Sequence, residues 1–301
     1  MTEPGKNLAQ RKSPLTPDYK QGIIEYYSEA GMDYEPWSRR FNMHFGYYRW
    51  GLNPFNREQM LDEMNQQILD RLDLDTTQRN QIVDLGCGVG TSARYAISHF
   101  PNTHVIAATI VPWQIDLGRR LSSEPIYQDR LEFELMDYCH LALAEESVAG
   151  AYAIESACYD VGKAKRAFLT EAFRVLKPGA RLVVADGFTK GKTHTRLFEY
   201  LYRKVCDGWA LQDFAGLDDF VAAMEELGYE DIQVEEASWR VALSVSYVPW
   251  VSLKYFFKSI FFRTDDRRIQ MGHFIAPVYG LLMGLHRGQY GYHIVSARKP
   301  R

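Results

Sequence analysis

Along the chain, short apolar runs alternate with segments in which apolar residues recur every three or four positions. Residues 81–85, 104–109, Leu131–Leu135 and Val148–Ile154 read as strands, and 181–186 begins a fifth. Between them Thr91–His99, Pro112–Leu121 and 163–176 read as helices. The last carries Ala167, Phe168, Ala172, Phe173 and Leu176 along one face, and Lys177-Pro178-Gly179 stops it. Such alternation implies an α/β fold: a mostly parallel seven-stranded sheet with helices on both faces. Upstream, residues 19–34 and 57–72 read as helices, the second capped by Asn56, with an aromatic loop between them. Downstream come an aromatic-rich helix over 192–211, a helix over Leu217–Leu227, and strands near 231–236 and 290–297. About fifty residues rich in Trp, Tyr and Phe separate those two strands, far more than a simple connection needs.

Composition narrows the partners. The 301 residues suit one enlarged α/β domain, and a net charge of −3 leaves no basic face for nucleic acid, so no nucleic-acid partner is expected. Cys87, Cys139, Cys158 and Cys206 form no C-x-x-C pair and read as free thiols in a reducing, cytoplasmic setting. Residues 248–262 come nearest to a membrane span, but Ser252, Lys254, Lys258 and Ser259 interrupt them. The scattered His, Asp and Glu residues make no metal cluster, so no metal is expected.

The strongest chemical signal is Val83-Asp84-Leu85-Gly86-Cys87-Gly88-Val89-Gly90, a strand running into a glycine-rich turn and then a helix. Alone, such a turn also serves nucleotide-binding dehydrogenases. With Asp-Leu-Gly-Cys-Gly in place, the string resembles the first motif of class I S-adenosylmethionine-dependent methyltransferases. The resemblance implies a Rossmann-like methyltransferase fold and S-adenosyl-L-methionine as cofactor. It places Asp84, Gly86, Cys87 and Gly88 at the amino-acid part of that cofactor. The second strand ends Ala107-Ala108-Thr109-Ile110 where an acid is usual, with Gln114 five residues beyond Thr109. This pattern is similar to the cyclopropane synthase and sterol methyltransferase branches and implies that Thr109, Ile110 and Gln114 bind the cofactor. Met136-Asp137-Tyr138 matches the adenine-binding motif, with the Asp137 carboxylate accepting from the amino group and Tyr138 beside the ring.

Tyr152-Ala153-Ile154-Glu155-Ser156 resembles the Tyr-Ala-Ile-Glu-Ala-Thr string of sterol C-methyltransferases. Met43-His44-Phe45-Gly46-Tyr47-Tyr48 is similar to a lid segment of the tocopherol methyltransferase-like group, in which His44 acts as a base or as a hydrogen-bonding member of the lid. The resemblance spans about residues 26–188 and fades beyond. On this reading 1–18 form a flexible leader, 19–75 a helical lid, 76–238 the cofactor-binding core, 239–288 a helical substrate-binding insertion, and 289–301 the last strand and C-terminus.

Methylation of an alkene carbon generates a cation, which aromatic faces and a carboxylate stabilise. Glu155, His44 and Tyr47 are therefore the candidate catalytic residues. Tyr26, Trp50, Tyr159, Trp209, Tyr247 and Tyr279 are the candidate substrate walls, although core packing accounts for most single aromatics. The expected reaction is C-methylation of a small hydrophobic isoprenoid, a sterol or a prenyl diphosphate. A diphosphate would call on cations such as Arg39, Arg40, Arg49, Lys190, Lys192, Arg196, Arg203 and Lys204, assisted by magnesium. The alternative is O- or N-methylation of an apolar secondary metabolite. Peripheral membrane contact through residues 250–262 and a homo-oligomer through the N-terminal helix remain open partners.

Overall fold

Parallel strands covered on both faces need apolar side chains on both, and this governs the centre of the molecule. The computed structural model describes residues 15–191, 193–251, 253 and 267–301. Strands β1 (Asn80–Leu85), β2 (Thr103–Thr109), β3 (Leu131–Leu135), β4 (Val148–Ile154), β5 (Leu176–Thr189), β6 (Ala215–Gly216), β7 (Glu230–Glu236) and β8 (Tyr290–Arg298) form one sheet. Their order is β3-β2-β1-β4-β5-β8-β7, with β6 against β5. The first five are mutually parallel; β8 runs antiparallel to both β5 and β7. The seven expected strands are joined by β6, whose two residues are too few to leave a periodic signal.

Helices α1 (Pro17–Ala30), α2 (Arg57–Asp70), α3 (Thr91–His99), α4 (Pro112–Leu121), α5 (Arg166–Val175), α6 (Arg196–Gly208), α7 (Leu217–Leu227), α8 (Ser238–Val245) and α9 (Arg267–Gly284) surround the sheet. Successive β1 side chains go to opposite faces, as the pleat requires. Val83 and Leu85 join Phe168, Leu169 and Ala172 of α5 and Phe220 and Met224 of α7. Ile82 joins Met64 and Ile68 of α2 and Ala93, Ala96 and Ile97 of α3. A third cluster sets Met283 of α9 against Phe198, Leu201 and Val205 of α6, with Ile23 of α1.

Several boundaries differ from the sequence reading. Helix α1 begins inside the expected leader: the Thr16 side chain accepts from the Tyr19 amide at 3.3 Å, and Leu15 is buried. Helix α5 starts late because Lys165, at φ +48°, holds its fully buried ammonium on the Cys158, Asp160 and Asp213 carbonyls and the Asp213 carboxylate. Helix α6 is shorter at both ends, capped by Thr195 and terminated before Ala210 at φ +53°. Residues 1–14, Lys192, and Tyr255, Phe256, Phe257, Phe261 and Phe262 of the expected aromatic insertion lie outside the described residues. Among the described residues no helix is long and apolar enough to cross a membrane, and no group of His, Cys, Asp and Glu is arranged to hold a metal ion.

Candidate active site

The strand order reverses between β1 and β4, where open α/β sheets leave a crevice beyond the carboxyl ends of the strands. Gly86, Gly88 and Gly90 adopt φ of +94°, +53° and +74° at that point. A Cβ on Gly86 would stand 2.4 Å from Ser156 Cβ, and one on Gly88 would stand 2.9 Å from Met43 Sδ. Glycine is thus required both by the turn and by the narrowness of the cradle.

Every residue expected at the cofactor lines this crevice: Asp84, Gly86, Cys87, Gly88, Thr109, Ile110, Gln114, Asp137, Tyr138 and Glu155. Asp84 accepts from the Tyr152 hydroxyl at 3.0 Å, and burial raises its pKa to about 7. Thr109 and Gln114 meet at 2.7 Å, so a neutral hydroxyl–amide pair occupies the end of β2. Asp137 accepts from the Cys139 amide at 2.9 Å and pairs with Lys20 of α1 at 2.6 Å. Helix α1 therefore closes over the outer side of the crevice. The loop at 41–44 closes the inner side, with Phe41, Asn42, Met43 and His44 in its wall. A glycine cradle, a neutral polar pair and a carboxylate set along three consecutive strand ends fit S-adenosylmethionine.

A second cavity opens from the first. Tyr27, Met43, His44, Glu155 and Tyr159 line both, and Tyr26, Tyr34, Trp37, Phe45, Trp209, Phe214, Tyr290 and Tyr292 continue the second. The carboxyls among its described lining residues are Glu155 and Asp186. Glu155 sits just beyond β4 at φ +53°, a conformation a non-glycine residue holds only when its surroundings enforce it. Its Oε1 accepts from the Phe45 amide at 2.7 Å and the Tyr292 hydroxyl at 2.9 Å. Burial raises its pKa to about 8, with the neighbouring Asp186 charge adding to the rise. Burial also raises Asp186, to about 6, held there by the Gly187 and Cys158 amides at 2.7 and 3.0 Å. Burial thus pushes both carboxyls up, Glu155 further than Asp186, so Asp186 is the first of the two to ionise as pH rises.

Three of the expected walls, Tyr26, Tyr159 and Trp209, are in this chamber. Four assignments are corrected. Tyr47 is buried in the α2–α3 core, and its hydroxyl donates to Glu235 at 2.8 Å, away from both cavities. Trp50 is 87% exposed on the surface. Tyr247 donates to the Pro54 carbonyl at 3.1 Å under the Arg57 guanidinium, and Tyr279 packs edge-on to Tyr200; neither lines the chamber. His44 lines both cavities, but burial lowers its pKa to about 4 and both ring nitrogens are engaged, by the Phe45 carbonyl and Asn65. It is a fixed wall of the site and a poor base.

The sequence reading missed Asp186, Met43, Tyr27, Tyr290 and Tyr292. Asp186 had a usable signal: the run Val183-Val184-Ala185 ends in Asp-Gly, and Ala185 pairs with Ile154, so Asp186 lies level with Glu155. The others come from segments whose neighbours only folding decides.

Residues 82–179 match the model of a methyltransferase domain family. A probable chloroplastic tocopherol O-methyltransferase of Oryza sativa subsp. japonica is 26% identical, over 94% of this chain and 79% of its own length. Geranyl diphosphate C-methyltransferase from Streptomyces coelicolor A3(2), solved with magnesium, geranyl-S-thiolodiphosphate and S-adenosyl-L-homocysteine, superposes with a TM-score of 0.72 at 15% identity. That match covers 96% of this chain and 100% of the other. The cyclopropane synthase MmaA2 from Mycobacterium tuberculosis superposes with a TM-score of 0.78 at 12% identity, covering 95% and 100%.

Proposed function

We propose that this chain, a class I S-adenosylmethionine-dependent methyltransferase, adds its methyl group to a carbon–carbon double bond of an uncharged isoprenoid-type acceptor. The observation that supports this reading best is the chamber wall where it meets the crevice. Aromatic rings surround the buried Asp186 and half-buried Glu155 carboxyls, and no lysine or arginine occurs among its described lining residues.

When bound, S-adenosylmethionine supplies an electrophilic methyl carried on a sulfonium. The chain's residues do the rest. The 41–44 loop, tied down by the Thr91 hydroxyl on the Arg40 carbonyl at 2.7 Å, keeps water from the junction of the two cavities. Methyl addition to one alkene carbon leaves a positive charge on its neighbour. The rings of Tyr27 and Tyr159 stabilise that charge by their quadrupole, and the Asp186 carboxylate by its own charge. Loss of a proton from the adjoining carbon to Asp186 restores a neutral alkene, and Glu155, protonated at neutral pH, holds the lid through Phe45 and the sheet through Tyr292.

The charge pattern favours an uncharged acceptor over a prenyl diphosphate. Of the cations expected to meet phosphates, Arg40 pairs with Asp62, Arg49 with Glu63, and Lys190 with the Arg287 carbonyl. None among the described residues lines the chamber.

The test is methyl-labelled cofactor with sterols, linear isoprenoid alcohols, prenyl diphosphates, phenols and amines, the labelled atom being located by NMR. Label on carbon of an uncharged isoprenoid is expected; label solely on oxygen or nitrogen overturns the reading. The second outcome has a basis of its own, because Asp186 would equally deprotonate a phenol and a tocopherol O-methyltransferase is similar over 94% of this chain.

A further inference from the structure

A third cavity lies between α8 and α9. On α9 its floor is Pro277, Gly280, Leu281 and Gly284, with Leu285 just beyond the helix. These positions follow the i, i+3, i+4, i+7, i+8 pattern of a single helix face. On α8 the opposing wall is Ser238, Trp239, Val241, Ala242 and Val245, again one face. Two apolar faces of this kind ordinarily close on each other. Here the glycines keep α9 low: a Cβ on Gly280 would stand 3.1 Å from the Trp209 ring, and one on Gly284 would meet nothing within 4 Å.

The groove adjoins the acceptor chamber: Phe45, Trp209, Pro277, Tyr290 and Tyr292 line both. From Pro277 to Gly284 it runs about 10 Å along the helix. Its outer end is apolar and open, with Trp239 76% and Leu285 71% exposed. The charged group at that end is Arg287, which lies 5.4 Å from the centre of the Trp239 ring and pairs with Glu236. Among the described residues nothing there singles out an anionic head group.

We propose that this α8–α9 groove is a subsite for a linear hydrocarbon tail of the acceptor, so that the enzyme selects substrates by the length of chain extending from the reacting alkene. The inference rests on the proposed reaction only for the identity of the molecule. A tail bound in the groove runs between Ala242 and Gly284 and leaves the chamber past Trp209. The selectivity arises because each methylene removed from water there adds to affinity, while a shorter acceptor leaves the groove to water.

Gly284→Phe and Ala242→Phe place rings in the groove from its two sides. The probes are geraniol, farnesol and geranylgeraniol. Binding is followed by tryptophan fluorescence with S-adenosylhomocysteine present, and turnover by methyl transfer. Wild-type affinity should rise with chain length, and both variants should cut the long-to-short ratio by about tenfold or more. Affinity for S-adenosylhomocysteine, measured by calorimetry, verifies the fold, and Gly284→Leu and Ala242→Leu replace any variant that fails to fold. A ratio unchanged in the variants overturns the groove, whatever the turnover. Length-dependent binding that the variants abolish, with no acceptor methylated, sustains the groove and overturns the proposed reaction.

Discussion

The cofactor crevice takes Asp84, Thr109, Gln114, Asp137 and Glu155 from just beyond or at the ends of β1, β2, β3 and β4, with the 41–44 loop closing over them. The acceptor chamber takes its walls from α1, the 34–45 loop, the 209–214 turn, α9 and β8. In the first region a side chain's place follows from the strand it ends. In the second it follows from which distant segments pack together. The two meet at Glu155, which has a strained backbone, a half-buried carboxyl and ties to both the lid and β8. Substitutions at residues that line the crevice alone should therefore act on the cofactor, and those at residues that line the chamber alone on the acceptor and the rate.

The sharpest way to break that contrast is Asp186→Asn. With the chamber's charge removed, kcat should fall by roughly 100- to 1,000-fold while S-adenosylhomocysteine affinity stays within about threefold. Single-turnover kinetics and calorimetry measure the two, and equal losses would merge the regions. Glu155→Gln should cost less at neutral pH, about tenfold, because the native carboxyl is already protonated there. Its deficit should widen above pH 8.

Gly88→Val is the reciprocal case. The φ of +53° and the Met43 sulfur 2.9 Å from a Cβ should weaken cofactor binding by roughly 100-fold, about 2.7 kcal/mol. An affinity within tenfold of wild type would place the cofactor elsewhere.

Stability against pH sharpens the account of Glu155. Between its ordinary pKa of 4.5 and about 8, the native chain holds a proton there that the unfolded chain releases, so this contribution to stability falls as pH rises through the window. Asp186 does the same at lower pH. His44, with its pKa lowered, acts in the opposite sense, losing stability as pH falls from 6.5 towards 4. Glu155→Gln should accordingly gain about 2 kcal/mol on the wild type in going from pH 6 to pH 9. Urea denaturation at both values checks it; parallel curves would mean that Glu155 is ionised throughout.

The smallest effect belongs to Tyr47→Phe. It should cost about 1 kcal/mol of stability through the lost bond to Glu235 and leave turnover within twofold. A large loss of rate would restore Tyr47 to the active site.

What was legible follows the same division. The strand–helix alternation and the glycine turn were readable because each depends on neighbours a few residues away; Thr109 with Gln114, and Asp137, were readable from their resemblance to family motifs. Asp186 was readable from its neighbours too and was passed over. Tyr47 and Trp50 belong to one aromatic loop of uniform composition, yet one is buried against Glu235 and the other stands in solvent. Nothing in their local pattern separates them, because what covers Tyr47 is α8 and β7, almost two hundred residues away in the chain.

The sequence by itself determined the parallel sheet and its crevice, since periodicity and turn chemistry act over short chain distances, and its resemblance to known motifs pointed to the cofactor class. Tertiary packing alone decided which aromatics line the second chamber, that Glu155 and Asp186 lie together beneath them, and that α9 presents glycines to a groove beside α8. These depend on segments that meet only when the chain has closed, where burial sets both the charge of a side chain and the shape of the space around it.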